Sequence, residues 1–153
     1  HIDTRIKEPK SIVKKMEKKK YDKTYLNLIE KINDIAGIRI VCTLKDDIFF
    51  IRDLVKQIPD IHVLKEKDYV TNPKESGYSS YHMIVEVPVK LTQKTIYVKC
   101  EIQIRTLAMD FWASFEHKVK YKTKNDVNSK MSKELVSCAK MINKFDTKMI
   151  NYK

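Results

Sequence analysis

The stretch Thr95-Ile-Tyr-Val-Lys-Cys-Glu-Ile-Gln-Ile-Arg105 alternates apolar and polar side chains without a break. A strand sends successive side chains to opposite faces. Ile96, Val98, Cys100, Ile102 and Ile104 therefore share one face, and Tyr97, Lys99, Glu101, Gln103 and Arg105 share the other. The first face belongs against a core. The second is either open to water or the floor of a polar cleft, and the strand alone leaves both readings standing.

Working outward, residues 79–88 read as a second strand, joined to the first by a hairpin over Lys90 to Lys94. Pro73 and Gly77 mark residues 70–78 as a loop. A strand starts at Ile61 to Leu64, preceded by a helix that Asp46 or Asp47 caps, with Ile48, Ile51, Leu54 and Val55 inward. The β-branched run after Asp34, from Ile35 to Cys42, reads as a buried strand. Residues 2–7 form a short strand, Pro9 opens a helix and Tyr25 to Ile29 supply a further turn or helix. Downstream, Thr106 caps a helix to about Lys122. A last helix begins near Ser129, with Met131, Leu135, Cys138, Ile142, Phe145 and Met149 in one stripe. Late strands can pair antiparallel while earlier ones need crossovers, so the expected class is α+β (mixed α/β), a mixed sheet flanked by helices.

The chain has 153 residues, 42 % of them apolar, and suits a single domain over 1–153. No apolar run approaches the ~20 residues of a membrane span, and no signal peptide is visible. A soluble cytoplasmic protein is the expectation. Cys42, Cys100 and Cys138 are widely spaced and odd in number, which predicts buried free thiols rather than disulfides or a zinc knuckle. The net charge of +11 attracts polyanions such as nucleotides or nucleic acid. The excess is local too: residues 1–20 hold Arg5, Lys7, Lys10, Lys14, Lys15, Lys18, Lys19 and Lys20 against Asp3, Glu8 and Glu17.

Three clusters carry chemistry. Asp34 stands at the mouth of one strand and Glu101 within another, and two carboxylates on neighbouring strands can hold Mg²⁺ shared with phosphate. Arg5, Lys7, Ser11 and Lys15 straddle a strand-to-helix transition, where a helix N-terminus favours phosphate. The segment Asn72-Pro-Lys-Glu-Ser-Gly-Tyr-Ser-Ser-Tyr-His82 combines a turn glycine, an aromatic ring for stacking and two groups, Lys74 and His82, that can meet phosphate. Each cluster also reads as ordinary surface: a solvated strand face, a basic helix, a hydrogen-bonded histidine.

Taken in order, these motifs resemble the synthetase domain of the RelA/SpoT family of alarmone synthetases. The resemblance runs from Arg5-x-Lys7-xxx-Ser11-xxx-Lys15 through Asp34-Ile-Ala-Gly-Ile-Arg39, Asp68-Tyr69 with Asn72-Pro-Lys74, and Gly77-Tyr78-x-Ser80-x-His82. It continues through Glu101-Ile-Gln103-Ile-Arg105-Thr106 to Trp112-Ala-x-x-Glu116-His117 and Tyr121-Lys122.

The resemblance implies a nucleotidyltransferase-like fold with a central mixed sheet of about five strands, and transfer of pyrophosphate from ATP to the 3′-hydroxyl of GTP or GDP, the chemistry of the stringent response. It implies that Arg5 and Arg39 sandwich adenine, and that Lys7, Ser11 and Lys15 hold ATP phosphates. Asp34 and Glu101 bind Mg²⁺, with Glu101 accepting the proton. Tyr78 stacks on guanine, Lys74, Lys67 and His82 contact GTP phosphates with Gln103 nearby, and Glu116 and His117 brace the site. Small members of the family assemble as tetramers, so a homo-oligomer is expected. The family's hydrolase and regulatory domains have no counterpart in the chain, and the helices that precede Arg5 in the family are missing, which suggests a piece of a longer protein. Ser76 and Ser79 depart from the usual Asn and Gln or Arg, and the linker at 88–95 looks long. Ser76 and Ser79 keep one alternative alive, a same-fold enzyme acting on the 3′ end of tRNA; a second is a non-catalytic nucleotide- or RNA-binding module. Retention of both carboxylates speaks against the second.

Overall fold

Strands β1 (Ile2–Ile6), β2 (Ala36–Cys42), β3 (His62–Asp68), β4 (Tyr81–Lys90) and β5 (Thr95–Thr106) form one sheet in the computed structural model, in the order β1-β2-β5-β4-β3. The structure describes residues 1–124, 126 and 128–152. β5, the strand with the clean alternation, is central. It pairs parallel with β2 and antiparallel with β4, while β1–β2 and β3–β4 are antiparallel. The mixed α+β sheet expected from the order of elements is the one observed.

The apolar face of β5 lies on the core. Cys100, Ile102 and Ile104 cluster with Tyr81, Met83 and Val85 of β4 and with Ile48 and Val55 of helix α3 (Lys45–Lys56). Met83, Val85, Ile104 and Ile48 are fully buried. Burying each such side chain stabilises the fold by roughly 1.5–3 kcal/mol. Two expectations for α3 need correction. Its N-cap is Leu44, and Asp47 sits inside the first turn, where its carboxylate accepts the Leu44 N–H at 3.1 Å. Leu54 is exposed rather than inward, because only the Ile48/Val55 side of the helix meets the sheet.

β4 starts at Tyr81, two residues later than expected, and runs on to Lys90, opposite Thr95. The long linker read at 88–95 is thus two lengthened strands joined by a tight turn, closed by Leu91 N–H donating to the Lys94 carbonyl at 2.8 Å. Ser80 is buried and donates to the Ile104 carbonyl at 3.3 Å.

Helix α4 (Leu107–Lys122) begins where the sequence places it: the Thr106 hydroxyl accepts the Met109 N–H at 3.1 Å. The same hydroxyl donates to Asp146 at 2.6 Å, on helix α5 (Ser129–Met149). α5 also accepts the Trp112 indole N–H at the Leu135 carbonyl, at 2.9 Å. The stripe expected on α5 is only partly inward. Leu135 is buried and Ile142 half-buried, but Cys138 is exposed and Phe145 is 56 % exposed. The packed face is turned toward Ala139 and Asp146, because Gly77 and Thr106 give those residues their partners. Of the three thiols expected to be buried, only Cys100 is; Cys42 is half-buried. Helices α1 (Pro9–Lys18) and α2 (Tyr25–Lys31) fill the crossover between β1 and β2. Among the described residues no helix is long and apolar enough to cross a membrane.

Candidate active site

The second face of β5 is a cleft floor. Residues opposite one another on paired strands share a face. Asp3 lies opposite Arg39, Arg39 opposite Gln103, Gln103 opposite His82 and His82 opposite Lys67. The neighbouring row is Arg5, Gly37, Glu101, Ile84 and Lys65. Two rows crossing all five strands therefore collect Arg5, Arg39, Lys67, His82, Glu101 and Gln103 on one side of the sheet. That side is polar because a ligand face needs charge where a packed face needs carbon.

Two clefts open on this side. The first, of ≈ 220 Å³, is lined by Arg5, Asp34, Gly37, Arg39, Glu101 and Gln103 among others. The second, of ≈ 190 Å³, is lined by Lys15, Asp34, Lys65, Lys67, His82 and Glu101 among others. Asp34 and Glu101 belong to both, so the two carboxylates form the wall between them. Gly37 lies on the floor of the first cleft beside Arg5, whose Cγ would lie at ordinary contact distance, 3.6 Å, from a Cβ at that position.

Asp34 is held by two lysines. Its Oδ2 accepts from Lys7 at 2.5 Å and its Oδ1 from Lys15 at 2.7 Å. Burial pushes this carboxyl up, but the hydrogen bonds and charges of Lys15 and Lys7 outweigh it and hold it below the ordinary aspartate range. Glu101 lies 3.2 Å from His82 Nδ1. The His82 hydrogen bond, opposed by burial and by the charge of Asp34, holds its carboxyl below the ordinary glutamate range. Both groups stand ionised at neutral pH. They suit Mg²⁺, which takes one or two protein carboxylates and completes its shell with phosphate oxygens and water.

Tyr78 is tied down on both sides. Its hydroxyl lies 2.8 Å from His82 Nε2 and accepts from Arg105 Nη2 at 3.0 Å. Burial, against the opposing charge of Arg105, pushes its phenol up, so the hydroxyl stays protonated. Lys74 places its ammonium 4.9 Å from the centre of the Tyr78 ring and 4.7 Å from that of Tyr69. The Lys74–Tyr78 segment is itself anchored on α5. Gly77 has φ 91°, and a Cβ there would sit 2.5 Å from the Ala139 Cβ.

Not every expected residue reaches a cleft. Ser11 is exposed on the first turn of α1 and lines neither, nor do Lys7, Lys74 and Tyr78, while Lys15, expected on ATP phosphates, lines the second cleft. Gln103, expected near the guanine nucleotide, lines the first cleft beside Arg39. Glu116 pairs with Lys120 at 2.5 Å, and His117 is exposed; neither borders the clefts. Two residues to which the sequence assigned no role also matter. Asp110 ion-pairs with Arg105 at 3.1 Å and approaches Arg39 at 3.6 Å. Arg105 is 5 % exposed, although its place at the end of a polar row gave no sign of burial. Cys42, whose thiol burial pushes up to about 11, donates to the Arg105 carbonyl at 3.2 Å and is no nucleophile.

Residues 4–126 match the family described as the region found in RelA / SpoT proteins. The chain belongs to the RelA/SpoT family. It is 46 % identical over 153 residues to the GTP pyrophosphokinase YwaC of Bacillus subtilis, covering 100 % of this chain and 73 % of that relative. The small alarmone synthetase 2 of Bacillus subtilis superposes with a TM-score of 0.90 at 44 % identity, over 99 % of this chain and 80 % of that one. The small alarmone synthetase 1 of the same organism, bound to its product pppGpp, gives 0.88 at 36 % identity, over 99 % and 76 %.

Proposed function

We propose that the chain is a GTP pyrophosphokinase, transferring the pyrophosphate of ATP to the 3′-hydroxyl of GTP or GDP with release of AMP, in the stringent response. The observation that carries this reading is the pair of clefts sharing Asp34 and Glu101: two nucleotides can lie on the sheet with their reacting groups meeting at one carboxylate wall.

ATP lies in the first cleft, its adenine between Arg5 and Arg39, a stacking role suited to planar guanidinium groups. Lys7 and Lys15, at the wall, meet its phosphates, and Ser11 adds a contact from the start of α1. The guanine nucleotide lies toward Tyr78, with Lys67, His82 and Lys74 on its phosphates and Lys74 leaving the ring face as the base arrives. Gln103 orients the donor side. Asp34 and Glu101 would hold Mg²⁺, which would offset the charge of the phosphoryl oxygens. The 3′-oxygen attacks the β-phosphorus, the bond from that phosphorus to the α–β bridging oxygen breaks, and AMP leaves. Glu101 receives the hydroxyl proton. Its depressed basicity makes it a base that acts late, as charge on the attacking oxygen falls. Positioning and charge supply most of the acceleration.

The reading extends to a cytoplasmic enzyme and to self-association. Leu107 and Phe111, each 70 % exposed, and Phe115, 49 % exposed, leave an apolar stripe along α4 that a second copy can cover. An RNA acceptor is the second reading, favoured by the net charge of +11. The test uses ATP labelled in the γ-phosphate with GTP, GDP or deacylated tRNA, resolved by chromatography. Label on GTP or GDP is expected. Label on tRNA alone would replace the acceptor, and no transfer would leave a binding module.

A further inference from the structure

Arg105 is a buried cation on the ligand face of the sheet. Its Nη1 donates to Asp110 Oδ1 at 3.1 Å, its Nη2 donates to the Tyr78 hydroxyl at 3.0 Å and to Gln103, and its Nε has no partner. A buried ion is weak grounds for stability, since an apolar residue of similar volume usually serves as well. The partners point to another purpose. Tyr78 and Gln103 belong to the two sides of the site, and Arg105 bonds both.

Asp110 extends the connection. The oxygen that accepts from Arg105 lies 3.6 Å from Arg39 Nε. That Nε is buried and makes no hydrogen bond, so the charge of Asp110 is what draws the Arg39 head into place. One carboxylate oxygen thus faces two arginines. One of them reaches into the first cleft and the other sits under Tyr78, its guanidinium carbon 5.4 Å from the ring centre. Asp110 itself lines neither cleft. It stands in the first turn of α4, whose start the Thr106 hydroxyl fixes.

We propose that Asp110 is a positioning residue that holds the two stacking platforms, Arg39 directly and Tyr78 through Arg105, in fixed relation to each other. This rests on the assignment of Arg39 to ATP and Tyr78 to the guanine nucleotide. Removing the Asp110 charge frees both platforms at once while every group that touches a nucleotide stays in the chain. The two substrates are therefore linked through a residue that contacts neither.

The test is a double-mutant cycle read by calorimetric binding of a non-hydrolysable ATP analogue and of GTP. Asp110→Asn, nearly isosteric, should weaken both by roughly fivefold or more. Tyr78→Phe keeps the ring, loses the hydroxyl and should weaken GTP alone. Asp110→Asn with Tyr78→Phe should bind GTP more tightly than the product of the two single losses predicts, and Asp110→Glu should recover part of the loss. Binding of both nucleotides within twofold of wild type in Asp110→Asn would overturn the proposal, as would a loss confined to one nucleotide or two losses that multiply. Should Asp110→Asn not fold, Arg105→Lys keeps the charge without the fork. It should weaken GTP more than the analogue, whose side it touches through Gln103; GTP binding unchanged there would equally overturn the proposal. Wild-type protein that binds both nucleotides without transferring pyrophosphate would sink the pyrophosphokinase reading, while the binding ratios still decide the role of Asp110.

Discussion

At the scale of the residue, Asp34 shows how the site stores charge. Lys7 and Lys15 neutralise it, and both must face phosphate once ATP is bound. Its carboxyl is held low in the folded state. A depressed acid contributes stability that is present above its unfolded value and is lost as pH falls through its folded value. Asp34→Asn should therefore be less stable than wild type at pH 7 by about 1 kcal/mol, the low end of the range for stranding charged partners, because Lys7 and Lys15 are only half-buried. The deficit should shrink below the ordinary aspartate range, as urea melts at pH 7 and pH 3 will show. A deficit independent of pH would mean that the amide disturbs packing instead. The carboxylates were legible in the sequence because each interrupts or precedes an apolar pattern. Asp110 was not, since an aspartate in the first turn of a helix reads as a complement to the helix dipole. Its role depends on Arg105, five residues back across the β5–α4 junction, and on Arg39, which only the pairing of β2 with β5 brings to it.

At the scale of the element, β5 was legible in full because its two faces demand opposite chemistry. Helices were legible in place and less so in rotation. Leu54 and Cys138 follow the apolar period and still face water, because a period defines a face without saying how much of it finds a neighbour. Gly77 is the clearest case of an element fixed by another. Its backbone lies in the left-handed region, and α5 leaves no room for a methyl group. Gly77→Ala should lower stability by roughly 1–3 kcal/mol through strain and clash together. It should also loosen Tyr78, raising the KM for the guanine nucleotide more than that for ATP. Thermal melts and initial rates decide it; equal effects on both KM values would separate the loop from the acceptor side.

At the scale of the whole molecule, one face of the sheet is covered by α3 and the other carries the two clefts, bordered by Lys15 of α1 and by the bond from Lys99 to the Glu30 carbonyl of α2, with α4 and α5 closing one end. That division was implied by the alternation at Thr95–Arg105, but the tie between the closing helices and the site was not. It runs through Thr106, Trp112 and Gly77, none of which signals a long-range partner in the sequence. Leu135 is 7 % exposed at this junction. Leu135→Asp should cost several kcal/mol, on the order of 3–5 for a buried unpaired charge, and should reduce binding of both nucleotides as α4 loses its support. An unchanged melting temperature would show that α5 merely rests on the domain.

The account turns on Glu101, in the wall common to both clefts. The most direct test is the rate of AMP release with ATP and GTP both saturating, compared between wild type and Glu101→Gln. The account predicts a fall of about a hundredfold or more, in the range of lost proton transfer, with the fold retained and both nucleotides still able to saturate the enzyme. A rate within twofold of wild type would contradict it and remove the reacting centre from the junction of the two clefts.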